Sequence, residues 1–106
     1  MIASAFLAED TPTNQVFGFI ERSIRPFADG CDSRPIAYVE GWYVEPPSRN
    51  CGVGRALMRA AEQWARDRGF TELASDTALA NEVGYAAHAS CGFVETERLI
   101  KLRKAL

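Results

Sequence analysis

The sequence predicts a mixed α/β domain in which a central sheet is flanked by helices. A nearly continuous apolar stretch, Ile36–Val44, indicates a strand covered on both faces. From Val53 the apolar residues change to helical spacing, and shorter apolar segments suited to strands lie on both sides of this pair. The length of 106 residues suits one domain, so we predict a single domain over residues 1–106.

The amino-terminal half predicts a hairpin and then the central strand. Residues 3–8 are apolar and are followed by turn chemistry, and residues 16–25 alternate loosely, as a hairpin partner would. Residues 26–35 are rich in Gly, Asp and Pro, which predicts a loop. Pro46 and Pro47 are expected to end the central strand.

The second half alternates helix and strand. The helix that begins at Val53 is expected to stop at Gly69, and residues 70–77 predict a strand. Asn81 is a suitable N-cap for a second helix, which Gly92 would end. Residues 94–103 predict a final strand.

Composition excludes several classes of function. Twelve basic and 14 acidic residues give a formal net charge of −2, which argues against a nucleic-acid binder and weakly favours cationic partners. No run approaches the ~20 apolar residues of a membrane span, and the apolar start lacks a basic leader, so we expect a cytoplasmic protein. Cys31, Cys51 and Cys91 are odd in number and lack metal-ligand spacing, which predicts free thiols and no metal site.

A glycine-containing segment between the central strand and the first helix predicts an anion site. Gly52 and Gly54 allow a tight turn and close backbone approach, and the helix that follows offers free N–H groups and its positive dipole end. The spacing differs from the dinucleotide fingerprint, and no Lys-Ser or Lys-Thr follows Gly54 as a Walker A loop requires. The alternative is a glycine-rich helix start that binds nothing. The predicted loop is Arg49, Asn50, Cys51, Gly52, Val53, Gly54 and Arg55.

This loop resembles the pyrophosphate loop of the GNAT superfamily of N-acetyltransferases, and four further segments narrow the resemblance to the aminoglycoside 6'-N-acetyltransferases. They are residues 30–33 (GCDS), 38–44 (YVEGWYV), 73–77 (LASDT) and 91–98 (CGFVETER). The resemblance implies the GNAT fold, acetyl-CoA as cosubstrate, and direct acetyl transfer to the 6'-amino group of an aminoglycoside in a ternary complex. It also implies that the chain begins at the family's second strand, without the first strand and first two helices. The sheet edge left exposed predicts a homodimer.

The resemblance also implies cofactor contacts. The backbone at Tyr43 and Val44 would hold the pantetheine arm, and Asn81 would contact it as well. An N-cap role explains Asn81 equally well. Cys51 is interpreted as a small filler, because direct transfer needs no cysteine nucleophile. Trp42, Trp64 and Phe93 are expected to be core residues.

For the acceptor, the resemblance implies carboxylates that hold a cationic aminosugar and relay its proton. Glu40 is the expected base, acting directly or through water, and Asp76 the expected anchor, with Glu97 on the last strand and Asp32 at the rim. Asp76 could instead cap a turn. Glu97 could equally form a surface ion pair.

The proton for the departing thiolate would come from His88, with Tyr85 as a substitute. A structural role for this helix histidine is an equal alternative. Within the same chemistry, a polyamine or another small amine could be the acceptor. Two other classes remain: a non-catalytic coenzyme A-binding remnant, and an anion-binding interaction module.

Overall fold

A computed structural model describes the backbone at residues 4–10, 15–49 and 52–106, and side chains from residue 17 onward within those ranges. The chain divides into two compact units, Met1–Asp76 and Thr77–Leu106. Within the described ranges, no helix combines the length and the apolar character that crossing a membrane would require.

The first unit contains a four-stranded mixed sheet and one helix, as the sequence predicts. The strands lie in the order β1-β2-β3-β4, with antiparallel pairing of β1 with β2 and of β2 with β3, and parallel pairing of β3 with β4. Its elements are β1 (Ser4–Asp10), β2 (Gln15–Arg25), β3 (Ile36–Val44), a 3-10 turn (Pro46–Ser48), α1 (Val53–Asp67) and β4 (Leu73–Ser75).

The two faces of the sheet pack differently. On one face, which we call the helix face, Ala37 of β3 packs against Trp64 and Ala65 of α1, with Phe70 and Leu73 beside them. Trp64 is 8% exposed, which confirms its prediction as a core residue.

The opposite face, which we call the loop face, is covered at one end by the segment 26–35. Ile36, Tyr38 and Ala74 are buried there, and Ala28 and Cys31 of that segment pack against them. The loop predicted at residues 26–35 therefore closes one end of this face.

Strand β3 contains one extra residue. Arg22 of β2 pairs with Val39 and Glu21 pairs with Gly41, so Glu40 has no partner in β2. This two-against-one arrangement is a β-bulge, and it shifts the alternation of side chains along the strand. The sequence pattern does not reveal it.

Two of the strands predicted from the sequence differ from what the structure contains. The strand predicted at 70–77 is confined to Leu73–Ser75, because the N–H of Phe70 still bonds to the carbonyl of Ala65 at the end of α1. The strand predicted at 94–103 is wrong, since residues 93–106 form no ladder within the described part of the chain. Alternation sets only a local preference, whereas a strand requires a hydrogen-bonded neighbour.

The second unit contains helix α2 (Glu82–Ser90). Asn81 is its N-cap, as predicted, and its side-chain oxygen accepts a hydrogen bond of 2.9 Å from the N–H of Gly84. Gly92, at φ 92°, follows the helix, as expected of its terminator. Phe93, predicted as a core residue, is partly buried against His88, with ring centroids 5.1 Å apart.

Gly18 lies so close to β3 that a larger residue there should destabilise the protein. A Cβ at this position would lie 2.5 Å from the carbonyl oxygen of Tyr43 and 3.1 Å from Cα of Val44, so strands β2 and β3 would have to move apart. We expect Gly18→Ala to lower the free energy of unfolding by about 1–3 kcal/mol, as overpacking typically does.

The measurement is urea unfolding followed by circular dichroism. Gly41→Ala is the matched control in the neighbouring strand, because its Cβ would meet Phe19 at an ordinary 3.5 Å. Equal stability of the two variants would contradict the steric argument.

Candidate active site

The segment that joins β3 to α1 turns back onto the end of β3. Nε of Arg49 donates a 2.9 Å hydrogen bond to the carbonyl of Val44, and its guanidinium lies 5.7 Å from the centre of the Tyr43 ring. The 3-10 turn at Pro46–Ser48 begins right after the strand, where the two prolines were expected to end it. Asn50 and Cys51 of the predicted loop lie outside the described residues.

Gly52 sets the start of α1. Its φ of 82° is left-handed, a conformation that glycine adopts without strain, and the space where a Cβ would stand is open. The first turn of α1 contains no acidic residue, and Arg55 there is exposed. Helix starts leave N–H groups without intrahelical partners, so this end of α1 is suited to an anion.

Trp42 fixes that helix start to the sheet. Its indole Nε1 donates a 3.0 Å hydrogen bond to the carbonyl oxygen of Gly54. A Cβ on Gly54 would meet Val44 and Trp42 at 3.4 and 3.5 Å, so the helix start already lies close to β3. Trp42, expected as a core residue, is half-buried and acts as an anchor.

Pairing of β3 with β4 ends before β3 does. The two strands pair at three positions, the last being Val39 with Ser75, where β4 ends, while β3 continues to Val44. Among the described residues, no part of β4 pairs with β3 beyond Val39. Tyr43, in this part of β3, is 39% exposed. This end of the strand and the helix start together suit a ligand that has an extended amide-bearing arm and a diphosphate.

Glu40, the extra residue of β3, is held in a polar cluster on the loop face. Its Oε1 accepts hydrogen bonds from Oγ of Ser23 at 2.5 Å and from Nε of Arg25 at 2.7 Å. Its Oε2 accepts from Nη2 of Arg25 at 2.5 Å, which completes a bidentate ion pair. The Arg25 guanidinium lowers the pKa of Glu40 most, against the opposing effect of partial burial, and Ser23 lowers it further.

The same cluster extends to Asp76. The Arg25 guanidinium lies over the Tyr38 ring, 3.5 Å from its centre, and the Tyr38 hydroxyl donates a 2.5 Å hydrogen bond to Oδ2 of Asp76. Burial, followed by the bond to Asp76, raises the pKa of Tyr38 well above its ordinary value, so the phenol stays protonated as a donor. Asp76 itself is exposed.

Asp32 lies in the segment 26–35, which covers one end of the loop face. Its backbone N–H donates to Oε1 of Glu72 at 3.0 Å, and Ser33 donates to the same atom through its N–H and its hydroxyl, each at 2.6 Å. Glu72 therefore ties the loop to the start of β4. The Asp32 side chain remains exposed.

In the second unit, His88 is oriented by its own helix. Its Nδ1 lies 2.7 Å from the carbonyl oxygen of Gly84, and Phe93 packs edge-on against the ring. Since a carbonyl oxygen can only accept, Nδ1 carries the proton of this bond. Nε2 is therefore the ring atom that can exchange a proton.

The other predicted residues of this unit differ in their surroundings. The hydroxyl of Tyr85 donates a 3.1 Å hydrogen bond to Glu95, which also pairs with Arg98. Glu97 is exposed and does not lie on a strand, so its predicted position on a last strand is wrong. Its proposed substrate contact stays a prediction.

Sequence reasoning missed three residues of the cluster: Ser23, Arg25 and Tyr38. Ser23 and Arg25 are two apart on β2, so they share a face, and this spacing is the signal that could have found them. Their connection to Glu40 depends on strand register, which the pattern alone does not give. Across the described residues, no three His, Cys, Asp or Glu side chains are grouped to hold a metal ion.

Comparison with known proteins agrees with this geometry. Residues 3–93 match the sequence model of the acetyltransferase (GNAT) family. The chain is 48% identical over 103 residues to the aminoglycoside N(6')-acetyltransferase type 1 of Klebsiella aerogenes, covering 97% of this chain and 68% of that protein.

Two solved structures superpose well. An aminoglycoside 6'-N-acetyltransferase of Acinetobacter haemolyticus gives a TM-score of 0.87 at 39% identity, over 98% of this chain and 71% of that one. AAC(6')-Iy in complex with the bisubstrate analogue CoA-S-monomethyl-acetylneamine gives 0.88 at 37% identity, over 98% and 70% of the two chains. The mixed sheet, the glycine-led helix start and these matches over most of the chain lead to one conclusion: the protein belongs to the GNAT family of acetyltransferases.

Proposed function

We propose that this protein transfers an acetyl group from acetyl-CoA to a primary amine, the 6'-amino group of an aminoglycoside, by direct attack in a ternary complex. The observation that carries the proposal is that β3 has an acidic cluster on one face, while the other face anchors a helix start suited to a diphosphate. The relatives that are aminoglycoside N(6')-acetyltransferases, and the solved complex with an analogue that joins coenzyme A to acetylneamine, support the same chemistry.

The donor would be held along β3 and the loop after it. The N–H groups at the start of α1, with Arg49 and Arg55, would bind the diphosphate, and Asn50 and Cys51 belong to the same proposed loop. The backbone at Tyr43 and Val44, in the part of β3 that does not pair with β4, would hold the pantetheine arm. Asn81 is kept as a proposed contact, although its side-chain oxygen also caps α2.

The acceptor would be held by carboxylates. Asp76 is exposed and bears its charge beside a neutral donor, which suits it as an anchor for an ammonium group. Asp32 and Glu97 are proposed as weaker contacts at the rim.

Glu40 would receive the proton that the attacking amine loses. A carboxylate whose pKa is lowered is a weak base, so we expect Glu40 to act through a water molecule on the fraction of the amine that is already neutral. The neutral amine attacks the thioester carbonyl, its nitrogen loses one proton through the water to Glu40, and the sulfur of coenzyme A departs with the bonding electrons.

That thiolate takes a proton from Nε2 of His88 in its doubly protonated form, with Nδ1–H kept on the Gly84 carbonyl. Tyr85 is the substitute donor, although its hydroxyl donates a hydrogen bond to Glu95. The supporting feature is the fixed ring orientation of His88 within its own helix.

We further propose a cytoplasmic homodimer. Cys31 and Cys91 are free thiols, as is usual in reducing compartments. Strand β1 is at the edge of the sheet, and Leu99, Ile100 and Leu102 are 62–90% exposed, which favours association with another chain.

The reaction is tested by free thiol release from acetyl-CoA with kanamycin-like aminoglycosides and with polyamines. We expect turnover with the aminoglycosides that Gly52→Asp abolishes, because a carboxylate beside the helix start repels the diphosphate. Asp is tolerated in left-handed backbone better than most residues, and its Cβ meets no atom at this position.

Calorimetry with acetyl-CoA on both proteins separates the outcomes. Binding without turnover on any amine would favour a non-catalytic remnant. Faster turnover of polyamines than of aminoglycosides would identify a polyamine as the acceptor and leave the proposed acetyl transfer intact. Unchanged binding of acetyl-CoA by the Gly52→Asp variant would contradict the proposal that this loop binds the diphosphate.

Replacement of Glu40 by Gln tests the proposed base. The amide keeps the shape but cannot take up the proton, so we expect kcat to fall roughly 100-fold, the lower range for general-base catalysis, with KM for acetyl-CoA unchanged. Glu62→Gln is the matched control, since Glu62 also pairs with an arginine, Arg66, on the surface of α1. If both variants keep the wild-type kcat, Glu40 is not the base.

Assembly is tested by sedimentation equilibrium across a wide concentration range. We expect a dimer, because an exposed strand edge and exposed apolar side chains favour association. A monomer at the highest concentrations would refute the dimer without affecting the chemistry.

A further inference from the structure

Glu40 and Asp76, the two carboxylates proposed for the acceptor site, differ in how far partners within the protein neutralise their charge. Both oxygens of Glu40 are occupied, Oε1 by Ser23 and Arg25, and Oε2 by Arg25 again. Asp76 instead accepts a hydrogen bond from the neutral hydroxyl of Tyr38. A neutral donor stabilises a carboxylate without cancelling its charge, so Asp76 keeps more of its negative charge available to a substrate than Glu40 does.

Arg25 is held against Glu40 by more than charge. Its guanidinium forms a bidentate pair with Glu40 and lies 3.5 Å from the centre of the Tyr38 ring. Ser23, which donates to the same carboxylate, is 1% exposed and so fixes its orientation. A substrate ammonium is a point charge and cannot reproduce the planar fork and the ring contact together.

We propose that Arg25 determines which carboxylate binds the acceptor: it neutralises Glu40 from within the protein and leaves Asp76 to take the substrate's ammonium group. The inference rests on the proposed function and deepens it. Arg25 acts through Glu40 and so is a positioning residue that sets specificity. Glu40 still accepts a proton through water, and Asp76 binds the positively charged group of the substrate.

The charged groups around Glu40 support these separate roles for Glu40 and Asp76. The groups that interact with Glu40 are Ser23 and Arg25 of β2 and Tyr38 of its own strand. Glu21 of β2 pairs with Gly41, the next residue along β3. Arg25 also interacts electrostatically with Asp76, which adds to the rise in its pKa. Arg25 is therefore the cation within this group of side chains, and its removal would leave Glu40 free to attract an ammonium.

The test is the effect of Asp76→Asn in two backgrounds, measured as KM for a kanamycin-like aminoglycoside at saturating acetyl-CoA. Asn keeps an oxygen that can accept from Tyr38 but loses the charge. In the wild-type background we expect Asp76→Asn to raise KM about 10-fold or more, as loss of a charged hydrogen bond does. In the Arg25→Gln background we expect a rise of less than about threefold, because the freed Glu40 then binds the ammonium.

Two control backgrounds sharpen the result. Arg25→Lys keeps the positive charge but loses the planar fork, so the Asp76→Asn penalty should return in part. Arg68→Gln is the matched control on the helix face, where the Arg68 guanidinium lies 5.1 Å from the Trp64 ring, and it should leave the penalty unchanged. An unchanged KM for acetyl-CoA and an unchanged thermal transition would show that each variant is folded.

An equal Asp76→Asn penalty in the wild-type and Arg25→Gln backgrounds would overturn the inference while leaving the proposed function intact. Wild-type protein that acetylates no amine would instead defeat the proposed function, and the inference with it. Should Arg25→Gln fail to fold, Arg25→Met keeps an apolar stem over Tyr38, and the same comparison decides.

Discussion

The single extra residue in β3 is the constraint on which the rest of the site depends. Strict alternation from Tyr38 would place positions 40, 42 and 44 all on the loop face. Because Glu40 is skipped in the pairing with β2, Gly41 and Tyr43 lie on the loop face, and Trp42 and Val44 turn to the helix face. There Trp42 reaches the carbonyl of Gly54 and holds the start of α1. One strand thus presents an acid on one face and, on the other, holds a helix start that is suited to an anion.

The bulge also lies next to the last residue of β3 that pairs with β4. Pairing ends at Val39, one residue before Glu40, because β4 ends at Ser75. In the proposed complex, the arm of the donor would follow β3 beyond Val39 and its diphosphate would meet the start of α1, which would bring its acyl end near the polar cluster around Glu40. The register of β3 therefore supports the proposed arrangement of donor and acceptor.

Sequence reasoning succeeded where the signal is local. The bounds of β3, the start of α1 and the N-cap at Asn81 follow from residue types within a few positions, and each was found. It failed where the structure depends on distant neighbours. Residues 94–103 alternate as a strand does, yet form no ladder among the described residues. The partner of Glu40 was required by burial but could not be named, because Arg25 is 15 positions away and a bulge intervenes.

Arg25 also answers a physical difficulty that any site for a polycation presents. Clustered carboxylates on a partly buried surface repel one another and lose hydration, so an acidic site destabilises the protein whenever its substrate is absent. The Glu40 side chain is 23% exposed, and the Arg25 guanidinium donates hydrogen bonds to both its oxygens. Asp76 can bear its charge unpaired because it is exposed to water. The number of acidic residues in the cluster therefore overstates how strongly it attracts a cationic substrate, because Glu40 is already paired. The exposed carboxylate of Asp76 provides the attraction that remains.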